Sequence, residues 1–211
     1  MARPATQCEP AAVRDPARTR ARILAAALAE FADRGLAGAR VDGIARRAGV
    51  NKRMLYHYFG GKQELFRTLV SQKVTERSRQ KQAHGEELAR SLPLNFLHNC
   101  HDVEWVRLLA WESLQTGNDR VENEPERCQM TVQAQKRLRR QQADGRVPAG
   151  LPVACLHLAL VSLAMFPVAM PQLTRLIAGR PFSDPQFQRD YAEFLKKMAA
   201  ALCPPPTDVK T

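Results

Sequence analysis

Five side chains crowded into one short stretch, Lys52, Arg53, Met54, Tyr56 and His57, bring together cations, a hydroxyl, an imidazole and a soft apolar group. Lys and Arg donate to guanine O6 and N7, apolar atoms meet a thymine methyl, and a phenol or an ammonium holds a phosphate oxygen. This is the chemistry of reading duplex DNA. It requires a short helix that stands clear of its own domain, and the flanking residues provide one. In VDGIARRAGVNKRMLYHYF, from Val41 to Phe59, Ile44, Ala45 and Ala48 fall at i, i+1 and i+4 and form one apolar face, with Arg46 and Arg47 directed elsewhere. Gly49 supplies a left-handed stop, Val50 the apolar contact that follows it, and Asn51 the N-cap of the next helix. Leu55, Tyr58 and Phe59 anchor that second helix and leave the five side chains facing outward. The layout is a helix-turn-helix whose second helix enters a major groove.

The run IARRAGVNKRMLYHYFGGKQELF carries I-A-x-x-A-G-V, L-Y-x-Y-F and x-K-x-E-L-F in order and resembles the DNA-binding domain of TetR-family transcriptional regulators. The resemblance implies that Lys52, Arg53, Met54 and His57 contact bases and that Tyr56 and Lys62 hold phosphates. Two caps depart from the family pattern. Arg40 stands where helix two usually opens on Thr or Ser, and Gly61 precedes Lys62 where Ser or Asn is common. A poor cap costs about 1 kcal/mol, so the start of helix two is expected to fray without DNA, with Arg40 compensating at a phosphate.

Charge distribution points the same way without reference to any family. Residues 1–81 hold 17 Lys plus Arg against 7 Asp plus Glu, whereas residues 82–211 hold 15 against 14. The excess positive charge therefore belongs to the DNA-binding end, the footprint of a protein that displaces counterions from phosphates. The five cysteines, Cys8, Cys100, Cys128, Cys155 and Cys203, are scattered, with no CxxC pair, which points to free thiols in a reducing compartment. The N-terminal MARPATQCEPAAVRDP lacks the apolar core of a secretory signal. A cytoplasmic location is expected.

The remaining chain reads as an all-α succession. Asp15 and Pro16 cap a first helix with the stripe Ile23, Leu24, Ala27, Leu28 and Phe31, which Gly35 closes. A fourth helix begins near Lys62, carries Leu65, Phe66, Leu69 and Val70 inward, and continues polar to Lys81 as a connector between domains. Further helices are predicted over residues 86–100, 102–116, 123–143, 151–169 and 184–202, bounded by Pro93, Gly117, Pro125, Gly145, Pro148 and the turn at Ser183 to Pro185. The expected organisation is a disordered arm over 1–14, a three-helix DNA-binding domain over 15–77, a larger helical effector-binding and dimerisation domain over 78–203, and a loose tail over 204–211. No Lys, Arg, Asp or Glu occurs between Arg146 and Arg175, long enough to span a bilayer. Pro152, Pro167, Pro171, His157 and Ser162 within it instead favour a buried or interfacial helix, and no membrane partner is expected.

Two groups of residues follow from placing the family plan on these helices. Trp105, Leu108, Leu109, Trp111 and Glu112, with Phe96 and Met130, offer aromatic walls and one carboxylate for an effector. Leu156, Leu160 and Leu163, and the stripe of Phe187, Tyr191, Phe194 and Met198, are the candidate dimer surface; the competing reading is ordinary intrachain core. His98, Cys100, His101, Asp102 and Glu104 raise a metal site, but Asn99 and Asp102 look like a helix break and no second ligand pair is spaced to complete it. No cofactor is expected. Enzyme signatures are absent too: there is no Gly-rich phosphate loop, GxSxG elbow or HExxH, and Glu122, Glu124 and Glu126 read as a solvated run. The sequence thus predicts a non-enzymatic, ligand-responsive repressor that binds double-stranded operator DNA as a homodimer and is released by a small molecule. The alternative is an architectural nucleic-acid-binding protein with no effector.

Overall fold

Ten helices and no strand make up residues 15–83, 87–116 and 121–202, the parts of the chain described by the computed structural model. They are α1 (Pro16–Gly38), α2 (Val41–Ala48), α3 (Lys52–Phe59), α4 (Lys62–Ala83), α5 (Leu88–His101), α6 (Val103–Thr116), α7 (Glu124–Ala143), α8 (Val153–Ala169), α9 (Pro171–Ala178) and α10 (Pro185–Leu202). The expected arm over 1–14, the tail over 204–211, the boundary at Gly117, and Cys8 and Cys203 lie outside the described residues.

Local chemistry explains the starts and stops. Asp15 Oδ1 accepts from the Ala17 and Arg18 amides at 2.9 and 3.2 Å, with Pro16 in the first turn. Gly35, at φ +66° and ψ 177°, interrupts α1 where the sequence expected its end, although one more helical turn follows to Gly38. A Cβ at Gly35 would collide with the Gln115 amide and the Trp111 ring. The position therefore needs glycine both for its backbone angle and for the close approach of α6.

One helix was not anticipated. The apolar run breaks at Met170, and α9 leaves α8 at 91°. Pro171 has no N–H to give to the carbonyl four residues back, at Pro167, and its ring crowds that oxygen. The buried Thr174 hydroxyl takes the vacant acceptor instead, donating to the Pro167 carbonyl at 3.1 Å. No single described helix is long and apolar enough to cross a membrane; α8 and α9 reach that length and composition only as this bent pair.

Two cores result. The first joins α1 through α4 by Ile23, Phe31, Ile44, Leu55, Leu65 and Val70, all fully buried, and it also takes in Trp105 and Leu108 from α6. The expected boundary at residue 77 is therefore crossed, because α6 lies along α1. The second gathers α5, α7, α8 and α10 around Phe96, and Val106 on the other side of α6 belongs to it. A single helix thus carries apolar side chains into both cores. Its position links the DNA-binding end to the rest of the chain.

Candidate nucleic-acid interface

The turn between α2 and α3 is built as its residues require. Gly49 adopts φ +62° and ψ 39°, and the amides of Gly49 and Val50 donate to the Arg46 and Ala45 carbonyls at 3.1 and 3.0 Å. Asn51 Oδ1 accepts from the Met54 amide at 2.8 Å and caps α3. Leu55 and Phe59 are buried beneath α3, with Tyr58 partly buried beside them. Lys52, Arg53, Tyr56 and His57 are exposed and Met54 is half-buried. The five side chains singled out by their chemistry share one short helix of eight residues.

Two bracing residues on α1 escaped the sequence reading. Arg22 reaches across and donates to the carbonyls of Ala48 and Gly49, the latter at 3.1 Å, at the negative end of the α2 dipole. Glu30, 3% exposed, lies under the opposite end of α2. Its Oε1 accepts from the Arg40 amide at 3.3 Å, and its carboxylate meets Arg34 at 3.4 Å and Arg47 at 3.7 Å. Arg40 itself makes no side-chain cap. The carboxylate from α1 thus takes the amide of the N-cap residue, the donor that a capping-box acid would take, while α2 has no side-chain cap of the Thr or Ser kind. Gly43 permits this, since a Cβ there would come within 3.0 Å of Glu30 Oε1. An acid 10 residues upstream of the amide that it holds leaves no mark in a local pattern.

The cations near α3 are held lightly, with one exception. Lys52 meets Asp42 at 3.2 Å, both well exposed, a pair that water and salt weaken readily. Lys62 is committed differently: its ammonium donates to the Ala37 and Ala39 carbonyls at 3.3 and 3.2 Å and closes the link from α1 to α2. Two of its three N–H groups are taken in this way, which leaves one for a phosphate. Arg20 lies over the Phe59 ring at 5.0 Å, adding a further cation to this end.

The expected effector residues occupy other positions. Phe96 is fully buried, with Tyr191 at 4.8 Å and Phe187 at 6.3 Å between ring centroids. Trp105 and Leu108 fill the first core, with Leu109 and Met130 packed against it. The Trp111 indole donates to the Ala32 carbonyl at 3.2 Å, and Glu112 holds Arg127 at 2.7 Å and accepts from the Glu122 amide at 3.0 Å. These contacts stitch α6 to α1 and α7. The cavity in the second core, about 140 Å³, is instead bordered by Arg77, Lys81, Asn99, Arg137, His157 and apolar residues of α5, α7 and α8. Of the seven expected residues, only Met130 borders space nearby, an outer cleft of about 470 Å³ that shares Lys81 and Arg137 with the cavity. The aromatic face of α6 turned toward α1, a choice that its own sequence does not record.

The candidate dimer residues are likewise mostly internal. Leu156 and Leu160 are buried in the second core, with Leu163 and Met198 packed against it. Phe187 and Tyr191 stack at 5.5 Å, and the Tyr191 hydroxyl donates to the Leu163 carbonyl at 3.0 Å. Only Phe194, 51% exposed, looks outward. Uncovered apolar residues gather on α8 at Leu158, Val161 and Phe166, at Met170, and on α9 at Leu173, Leu176 and Ile177, while others such as Leu114 stand elsewhere. Because α8 is apolar all round, periodicity could not choose its inward face.

Asp102, from the weighed metal cluster, accepts from Lys73 at 2.9 Å and pairs with Arg77 at 3.5 Å. Burial pushes the Cys100 thiol up to about 12, far from a ligating thiolate. Cys128 and Cys155 are exposed free thiols.

Comparison with known proteins follows this geometry. Residues 23–69 match the tetR family of bacterial regulatory proteins, and residues 95–199 match a tetracyclin repressor-like C-terminal domain. The HTH-type transcriptional repressor SCO4008 of Streptomyces coelicolor is 33% identical over 168 residues, 80% of this chain and 88% of that protein. The HTH-type transcriptional repressor NicS of Pseudomonas putida is 33% identical over 108 residues, 47% of this chain and 50% of its own length. Among solved structures, SCO4942 of Streptomyces coelicolor superposes with a TM-score of 0.74 at 25% identity, covering 89% of this chain and 99% of that one. The regulator FadR of Bacillus subtilis, in complex with stearoyl-CoA, shares the fold at a TM-score of 0.59 and 17% identity, covering 83% and 96%.

Proposed function

The chain belongs to the tetR family of bacterial regulatory proteins, and we propose that it is a repressor that holds an inverted-repeat operator as a homodimer and releases it when a small molecule binds. That it is a DNA-binding transcriptional regulator follows from the family itself. The finer reading is carried by the outward face of α3, where Lys52, Arg53, Met54 and His57 stand ready for base edges on a helix capped by Asn51 and set against the braced α2. Tyr56 takes a phosphate, Arg40 meets another at the start of α2, and Lys62 joins them through the N–H that its two carbonyl partners leave. A cytoplasmic site of action goes with this role.

Two-fold symmetry would set the paired α3 helices about 34 to 36 Å apart, one turn of duplex. The uncovered apolar residues of α8 and α9, with Phe194, suit the surface between the two copies, since a patch of this kind is costly to leave in water. Leu158→Arg is expected to yield a folded monomer in sedimentation, whereas Leu156→Arg on the inner face should unfold the protein. A folded dimer in the Leu158 variant would remove α8 from the interface.

The cavity between α4, α5, α7 and α8 is the effector site in this reading. The connector α4 contributes to its wall and also to the core under α3, so a ligand that prefers another position of α4 changes the spacing of the two reading heads. Selection of bound duplexes from a random pool, followed by footprinting, tests the operator. A protected inverted repeat is expected; length-dependent coating of any duplex would overturn the reading in favour of an architectural protein.

A further inference from the structure

The cavity in the second core is lopsided in charge. Arg77 and Lys81 on α4, Arg137 on α7 and His157 on α8 border it, while no Asp or Glu is among the described residues lining it or the outer cleft. Arg77 is partly matched: Asn99 accepts from its Nη2, and Asp102 lies 3.5 Å from Nη1, which is buried without a hydrogen-bond partner. Lys81 and Arg137 form no ion pair among the described residues. A cation in such surroundings is expensive unless something answers its charge. Burial, with Arg77 and Arg137 nearby, accordingly pushes Lys81 down to about 8.

Shape narrows the answer further. Leu88, Leu92, Leu138, Leu160 and Met165 wall one part of the inner cavity and Ser91, Asn95, Asn99 and Gln141 another, and its volume of about 140 Å³ is close to the roughly 150 Å³ known to hold a benzene ring. Lys81 and Arg137 border both this volume and the outer cleft, where Arg140 and Gln133 add polar surface. A chamber with one apolar wall therefore opens past a pair of cations into a polar vestibule.

We infer that this site takes a small organic carboxylate, its ring or short chain in the inner chamber and its anionic group between Lys81 and Arg137. The inference names the ligand class for the effector reading above and rests on it. A carboxylate answers both charges at once, since it accepts from the guanidinium fork and the ammonium together. A neutral ligand of the same shape leaves the cations as they are; a cationic one adds to them. Arg77 connects the site to the reading head. One side of it holds Asp102 and Asn99, whose amide donates to the Ala164 carbonyl at 2.8 Å, and the other borders the cavity. A bound anion competes with Asp102 for a side chain rooted in the connector helix.

Benzoate, benzamide and benzamidine share one shape and differ in charge, so they test this on the full-length protein by thermal shift and ligand-observed NMR. Benzoate is expected to bind at least about tenfold more tightly than benzamide, and benzamidine not at all. Lys81→Gln and Arg137→Gln should each erase the preference for benzoate while retaining wild-type helicity, and Lys81→Gln should melt higher than wild type in the absence of ligand. Failure of all three probes to bind, equal binding of benzamide or benzamidine, or an undiminished benzoate preference in both variants would overturn the inference. Operator release is read separately by fluorescence anisotropy. Selective benzoate binding with unchanged operator affinity would leave the carboxylate site standing and remove the effector reading. Release by benzamidine would do the opposite.

Discussion

The cations around α3 and those around the second-core cavity are the same residue types in opposite dielectric settings. Lys52, half exposed and lightly paired with Asp42, keeps its hydration until a polyanion displaces it. Lys81 and Arg137 are partly buried at a cavity with one apolar wall, and burial holds the Lys81 ammonium below its ordinary value. The first arrangement suits a long ligand whose many charges are read together and whose grip weakens with salt. The second suits one small anion held by few contacts at short range, where screening is weak. Location, more than residue identity, separates the two roles.

The largest expected effect falls on the exposed set. Changing Lys52, Arg53 and Tyr56 to alanine together should weaken operator binding by at least about a hundredfold, given roughly 1–3 kcal/mol for each good base contact, with the melting temperature held near wild type. An undiminished affinity in a folded triple variant would end the DNA-reading account. Next comes the brace. Glu30→Ala takes the acceptor from the Arg40 amide and the partner from Arg34 and Arg47 and should lower stability by about 2 kcal/mol or more, seen in denaturant melts; Glu30→Gln, which can still accept from the Arg40 amide, should lose less.

Salt sharpens the comparison directly. Raising salt from 50 to 200 mM should reduce operator affinity by orders of magnitude while changing benzoate affinity only slightly. Similar slopes for both would deny the difference in setting.

The smallest effect is a pH dependence. Around Lys81 stand Arg77 on its own helix, Arg137 on α7 and His157 on α8, while α5 presents the uncharged Ser91, Asn95 and Asn99 to the cavity. Because the folded value of Lys81, about 8, lies below its ordinary 10.5, the unfolded chain binds more protons between these two. The penalty of holding the ammonium is thus full below pH 8 and fades as pH rises toward 10.5. The melting temperature of the unliganded wild type should approach that of Lys81→Gln across this window, and benzoate binding should weaken over the same range. A constant gap between the two proteins would mean that Lys81 is hydrated.

Much of the DNA-binding end was legible because its signals are local. Asp15, Gly49 and Asn51 act on amides and carbonyls within a few residues, and the Ile44, Ala45 and Ala48 face needs only helical periodicity. Lys62 shows where this legibility ends, since its carbonyl partners at Ala37 and Ala39 lie more than 20 residues upstream. In the larger domain the local signals run out sooner. Tryptophans on α6 look the same whether they face a ligand or α1, and α8 offers leucines on every side.

Residue order alone determined that this chain would be helical, that a glycine turn would set α3 against α2, and that cations and hydroxyls would gather there, because capping, periodicity and left-handed turns act over single helical turns. Only the tertiary structure decided that Glu30 would brace the start of α2, that α6 would seal the first core, and that Arg77, Lys81 and Arg137 would border one cavity. Those outcomes depend on which faces meet between helices distant in sequence, where packing and desolvation over many residues outweigh any local preference.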